Sequence, residues 1–166
     1  MFIMIDFRLQ GIDILPDVIG YILFAVGFST LAINSSHFKK AGNFNILMII
    51  VSIFQIYEKP AQGSGIQINT VGILVGLVSL IVGLVVVYHL FQGIKEIAAR
   101  QQKMEIFEEA EKRWHHYFIL QLAALFAFIF VIFPPLMIVY LITVLVFVLI
   151  ITYKIMIFMK ICGEDL

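Results

Sequence analysis

Four histidines, one cysteine and a run of carboxylates are the side chains in this chain with the means to do chemistry. His89 and His116 are expected at similar depth near one face of a membrane, where two facing imidazoles could hold a haem or a metal ion. Their neighbours favour a simpler role. Tyr88, His89, Trp114, His115, His116 and Tyr117 together make a belt of amphipathic rings at headgroup level. Cys162, the single cysteine, can form neither an intramolecular disulfide nor a zinc site. The carboxylates fall in an ordinary helical pattern: Glu96–Arg100, Glu108–Lys112 and Glu109–Arg113 are acid-first pairs at i,i+4, which support a helix. No catalytic residue, metal ligand set or cofactor is assigned, and no enzymatic activity is expected.

Transport leaves a different trace. Proton and ion pathways place ionisable residues inside membrane helices, because burying a charge without a partner is costly. No Asp, Glu, Lys or Arg lies in the middle of an apolar segment here. The polar side chains there are Ser29, Thr30, Ser52, Gln55, Ser79, Gln121, Thr143 and Thr152, which read as hydrogen bonds between helices. A self-contained ion-coupled transporter is not expected. One further pattern stands out: Gly72, Gly76, Ser79 and Gly83 recur at steps of four, three and four. They form a small-residue ridge on one helix face, a candidate surface for packing or interaction. Ala123 and Ala127 repeat it in shorter form.

These residues need elements to carry them, and composition names the solvent of those elements. Apolar residues are 62% of the 166-residue chain and charged residues 13%. Soluble domains carry roughly 45–50% and about 25%. So apolar a chain uses the bilayer as solvent, and an all-α integral membrane protein follows. From Tyr117 to Tyr153 no charged residue or histidine occurs. As one helix that run would be about 55 Å long, far beyond a hydrocarbon core of about 30 Å. Pro134 and Pro135 divide it, and a tight turn between two antiparallel spans is expected there. Three earlier apolar segments bring the count to five: spans at about 14–33, 44–57, 71–91, 117–133 and 136–153, within a single membrane domain over 1–166. Pro16 and Asp17 suit the start of the first.

Loop charges orient the bundle. Lys39, Lys40, Lys95, Arg100, Lys103, Lys112, Arg113, Lys154 and Lys160 fall on one side, and Arg8 and Lys59 on the other. The basic side is cytoplasmic, which leaves the N-terminus outside and the C-terminus inside. The same count supports the short second span, whose removal would split the basic loops. Between spans three and four, an amphipathic cytoplasmic helix is expected over about 92–116. Its apolar stripe runs through Ile94, Ile97, Met104, Phe107 and Trp114. Ile97, Met104, Phe107 and Trp114 are the candidate docking stripe, lying on the membrane face or receiving a partner. The balance of 11 basic and 11 acidic residues gives no field for nucleic acid.

Three resemblances bear on function. "FRLQGIDILPDVIGYILFAVGFSTL", Phe7 to Leu31 with Ile14–Tyr21 at its core, resembles the N-terminus of small uncharacterised polytopic membrane proteins of Gram-positive bacteria. That resemblance implies a bacterial cell membrane and no particular activity. "EEAEKR", Glu108 to Arg113, matches the EExxxR element of intramembrane CAAX-type proteases. That family adds histidines on later helices, and this chain has none after His116. The bacterial translocator-protein family is similar in size and five-span layout but rich in tryptophan, whereas Trp114 stands alone here. The expectation is a non-enzymatic accessory or interaction protein of the bacterial cytoplasmic membrane. Its partners are the lipid bilayer and a second copy or another membrane protein; the alternative is a subunit of an oligomeric channel or carrier.

Overall fold

The computed structural model describes residues 8–9, 12–13, 17–55, 70–126 and 134–166. Apart from a two-residue ladder of β1 (Arg8–Leu9) and β2 (Ile12–Asp13), the fold is all-α. Among the described residues five helices follow in chain order: α1 (Asp17–Leu31), α2 (Ser36–Gln55), α3 (Thr70–Arg100), α4 (Met104–Phe126) and α5 (Pro134–Asp165). They form two compact units, Met1–Leu90 and Phe91–Leu166, with α3 running through the boundary.

In the first unit, α1 and α2 make a helical hairpin with a short connection. Ser35 caps α2: its hydroxyl accepts the His37 amide at 3.1 Å, satisfying one of the donors that every helix start leaves free. This cap starts α2 eight residues before the apolar run that marks the expected second span. One face of α2 is buried at Phe38, Ala41, Asn45, Met48 and Ser52, the alternating steps of three and four of a packed seam. Ala41 and Gly42 keep the contact close. A Cβ on Gly42 would meet the Cβ of Phe28 on α1 at 3.4 Å.

The second unit corrects the amphipathic helix expected over 92–116. No separate helix forms there: residues 92–100 are the end of α3 and 104–116 the beginning of α4. The turn between them is a Schellman ending. Lys103 N–H donates to Ala98 O at 2.9 Å and Gln102 N–H to Ala99 O at 3.2 Å, with Gln102 left-handed at φ 57°. The buried seam uses Phe91, Ile94 and Ala98 of α3 and Ile106 and Ala110 of α4. It shares only Ile94 with the expected stripe, because the turn breaks the helical phase between Ile97 and Met104.

Pro134 and Pro135 also sit differently from expectation. They occupy the first turn of α5, where a missing amide removes no intrahelical bond. The connection at 127–133 lies outside the described residues. The reversal itself is secured by Tyr140, whose hydroxyl donates to the carbonyl of Ala123. In one straight helix, groups 17 residues apart would be separated by about 25 Å. At the other end of this antiparallel pair, Gln101 donates to Leu166 O at 3.0 Å and Lys103 donates to Asp165 O. The α5 seam is Val148, Ile155, Phe158 and Cys162, with Phe158 stacked on Phe91 at 6.4 Å.

Among the described residues, two helices are long and apolar enough to cross a membrane by length and composition: Leu74–Arg100 of α3 and Val139–Asp165 of α5. Only 11% of the most apolar stretch of the first and 17% of the second is buried. Val18–Leu31 is apolar but shorter. The first half of α2 carries His37, Lys39 and Lys40, and the first half of α4 carries four glutamates, so neither qualifies along its length.

Candidate functional site

In the first unit a pair of histidines joins α2 to α3. His37 Nδ1 and His89 Nδ1 are 3.1 Å apart, within hydrogen-bond distance. Phe44 lies nearly parallel to the His89 ring, at 6.1 Å and 12°, and Tyr88 meets it edge-on at 5.4 Å. His37, at the second position of α2, is aimed by the Ser35 cap; His89 lies one residue before the end of this unit. Depth reasoning pairs His89 with His116. The structure instead gives it His37, while His116 is exposed.

One interhelical hydrogen bond lies deeper. Asn45, fully buried, donates from Nδ2 to the Tyr21 carbonyl of α1 at 2.6 Å, while its Oδ1 is buried without a donor. Asn45 is missing from the polar side chains expected to join helices. The hydroxyls that were expected to do so bond back along their own helices: Ser29 and Thr30 to Val26 O, Ser52 to Ile49 O, Ser79 to Val75 O and Thr143 to Val139 O. A short hydroxyl side chain reaches the carbonyl three or four residues back more easily than a neighbouring helix. The longer Asn45 side chain carries its amide across to the neighbouring helix. Thr152 Oγ1 is buried with no partner.

The second unit holds the charged cluster at the tip of the α3–α4 hairpin. Lys95 of α3 pairs with Glu111 of α4, and its Nζ sits 4.9 Å from the centre of the Phe107 ring. Glu96–Arg100 and Glu109–Arg113 form as the spacing predicts, whereas Glu108 and Lys112 are both exposed. His115 Nδ1 lies 2.9 Å from the Glu111 carbonyl oxygen. The Lys95 hydrogen bond holds the Glu111 carboxyl below its ordinary range, outweighing partial desolvation, with the charges of Lys95 and His115 assisting. The inter-helix pair escapes a search for i,i+4 spacings, because its partners stand 16 residues apart across a turn.

Among the described residues a Cβ added to Gly76 would meet nothing within 4 Å, and Gly76, Leu77 and Val78 form an exposed surface of α3. At Gly83 an added Cβ would touch Met48 of α2 at 3.9 Å. Gly72 lies on α3, with its surroundings outside the described residues. Of the stripe, Ile97, Phe107 and Trp114 are half-buried and Met104 is 58% exposed, with Trp114 against Tyr117 and Phe118 at 6.5 and 5.8 Å. The stripe is therefore divided between two helices. Among the described residues no group of three or more His, Cys, Asp or Glu side chains could hold a metal ion. Glu108 and Glu109 serve the hairpin surface, Glu109 through Arg113. No known family model, curated protein or solved structure matches the chain.

Proposed function

We propose that the protein is a non-enzymatic accessory protein of the bacterial cytoplasmic membrane that works by associating through the open face of α3. The observation that carries this reading is the Gly76 surface. A small residue on an apolar helix with nothing against it offers a close approach to another helix, whereas scattered large apolar side chains need only lipid. Exposed Leu23, Val26, Ile81, Ile142 and Phe147, all above half exposed, support lipid as the surrounding medium. In this reading α1 and the apolar parts of α2 and α4 cross alongside α3 and α5, giving five spans. The N-terminus is outside, and the hairpin tip and C-terminus are in the cytoplasm, following the basic side chains.

Gly76→Leu tests the reading. It fills open space in the isolated chain, so the monomer keeps its stability while association weakens at least tenfold, read by energy transfer between labelled copies or by recovery of a co-purified partner. A destabilised monomer with unchanged association would overturn it. Liposomes containing the purified chain that pass a selected solute, with Gly76→Leu abolishing the flux, would replace the accessory role with a channel or carrier subunit. A cysteine placed at Gln102 after Cys162→Ser should react with an impermeant reagent only in opened cells. Labelling in intact cells would reverse the orientation.

A further inference from the structure

The His37–His89 contact has a geometry that selects its chemistry. The ring centres are 5.3 Å apart and the two Nδ1 atoms 3.1 Å. The difference is about what two centre-to-nitrogen vectors laid end to end would contribute, so each nitrogen lies near the line joining the rings. Their Nδ1 bonding directions point at each other. A shared metal ion needs lone pairs that converge on one point about 2.0–2.1 Å from each nitrogen, which is a bent arrangement. Head-on nitrogens share a proton instead.

The proton count then has a threshold. In the neutral pair, one ring donates its Nδ1 proton to the bare Nδ1 of the other, whose own proton is on Nε2. A first added proton goes to the free Nε2 of the donor ring, which makes the bond charge-assisted and stronger. A second can enter only at the accepting Nδ1. It removes the lone pair that makes the bond and sets two imidazolium N–H groups head-on. Among the described residues, Lys40 of α2 is within electrostatic reach of His89, and Tyr88 of α3 is a further titratable neighbour. Neither supplies a negative charge at neutral pH to hold two cations together.

We propose that His37 and His89 form a proton-gated clasp, which ties α2 to α3 while one Nδ1 lone pair remains between the rings and parts when both rings are protonated. His37→Asn separates this from simple packing. The amide can rotate to donate to a neutral His89 or to accept from a charged one, so the tie persists at every pH.

The test uses the full chain in liposomes, with histidine labelled with nitrogen-15 and spin labels at Lys39 and Ile81. It spans about two units either side of the ordinary imidazole value of about 6.5. The unmodified chain should lose the coupling between the two Nδ1 nuclei at the second protonation, and the label distance should lengthen in the same step. In His37→Asn the label distance should not change with pH. Three results would overturn the proposal: an unchanged distance after both rings are charged, equal lengthening in the variant, or rings that never both protonate while the chain stays folded.

Discussion

The α1–α2 hairpin and the tip of the α3–α4 hairpin join two helices in opposite ways. Between α1 and α2 the contact is uncharged: the buried α2 face of Phe38, Ala41, Asn45 and Met48 brings Gly42 close to Phe28 and bonds Asn45 to Tyr21. Between α3 and α4 it is made by charge, with Lys95 set between Glu111 and the ring of Phe107. The difference follows from the cost of an ion in each medium. In a dry contact a carboxylate or ammonium loses more solvation than its partner returns, and a neutral hydrogen bond is the polar link that survives. Near water the same charges stay partly solvated, and Lys95 also shelters its stem against Phe107. The chemistry of the two joints reports where each lies relative to water.

Asn45 gives the largest expected break in that comparison. Asn45→Asp puts a carboxylate against the Tyr21 carbonyl in a fully buried position and should cost about 3–5 kcal/mol of unfolding free energy in detergent. Asn45→Leu removes the hydrogen bond together with the unpartnered Oδ1 and should change stability by less than about 1 kcal/mol. Equal effects of the two would mean that the α1–α2 contact is wetter than its packing implies.

Gln102 comes next, with the opposite sign. It holds a left-handed conformation that costs an ordinary residue about 1–2 kcal/mol and glycine nothing. After the greater freedom glycine has when unfolded, Gln102→Gly should stabilise the chain by about 0.5–1 kcal/mol. Chemical denaturation of both forms measures it, and a loss of stability would mean that the Gln102 side chain supports the turn.

The Lys95–Glu111 pair gives the smallest effect and the clearest pH signature. Glu111→Gln should cost about 0.5–1 kcal/mol, as expected for a partly exposed pair. The folded chain holds the Glu111 carboxyl below its ordinary value of 4.5, so its stabilisation is complete above that value. It is lost as pH falls through the lower, folded-state value. A stability titration on the acid side should therefore be steeper for the native chain than for Glu111→Gln, and parallel curves would remove the pair from the account.

The helices themselves could be read from apolar runs, but their ends could not. Hydropathy drops after Phe91 and rises again at Tyr117, which suggests a separate helix between. The backbone of α3 ignores that change because Gln92–Arg100 contains good helix formers and buries Ile94 and Ala98. The turn that does stop it carries neither glycine nor proline, so no sequence signal marks it. The early start of α2 rests on the Ser35 cap, a signal that apolar runs alone do not carry. The small-residue ridge could be read as a periodicity, but its exposure at Gly76 needed coordinates. The pairing of His37 with His89 depends on how α2 meets α3, which spacing along the chain does not encode.

The most direct measurement of the central claim, that α3 crosses the bilayer and carries its charged end into water, is a depth profile along that helix. Spin labels at Ile81 and Gln102 in liposomes would be compared for collisions with oxygen, which concentrates in lipid, and with a neutral nickel chelate, which stays in water. Ile81 should be relaxed by oxygen and hidden from nickel, and Gln102 should show the reverse. Equal nickel access at both positions would contradict a membrane-crossing α3 and the function built on it.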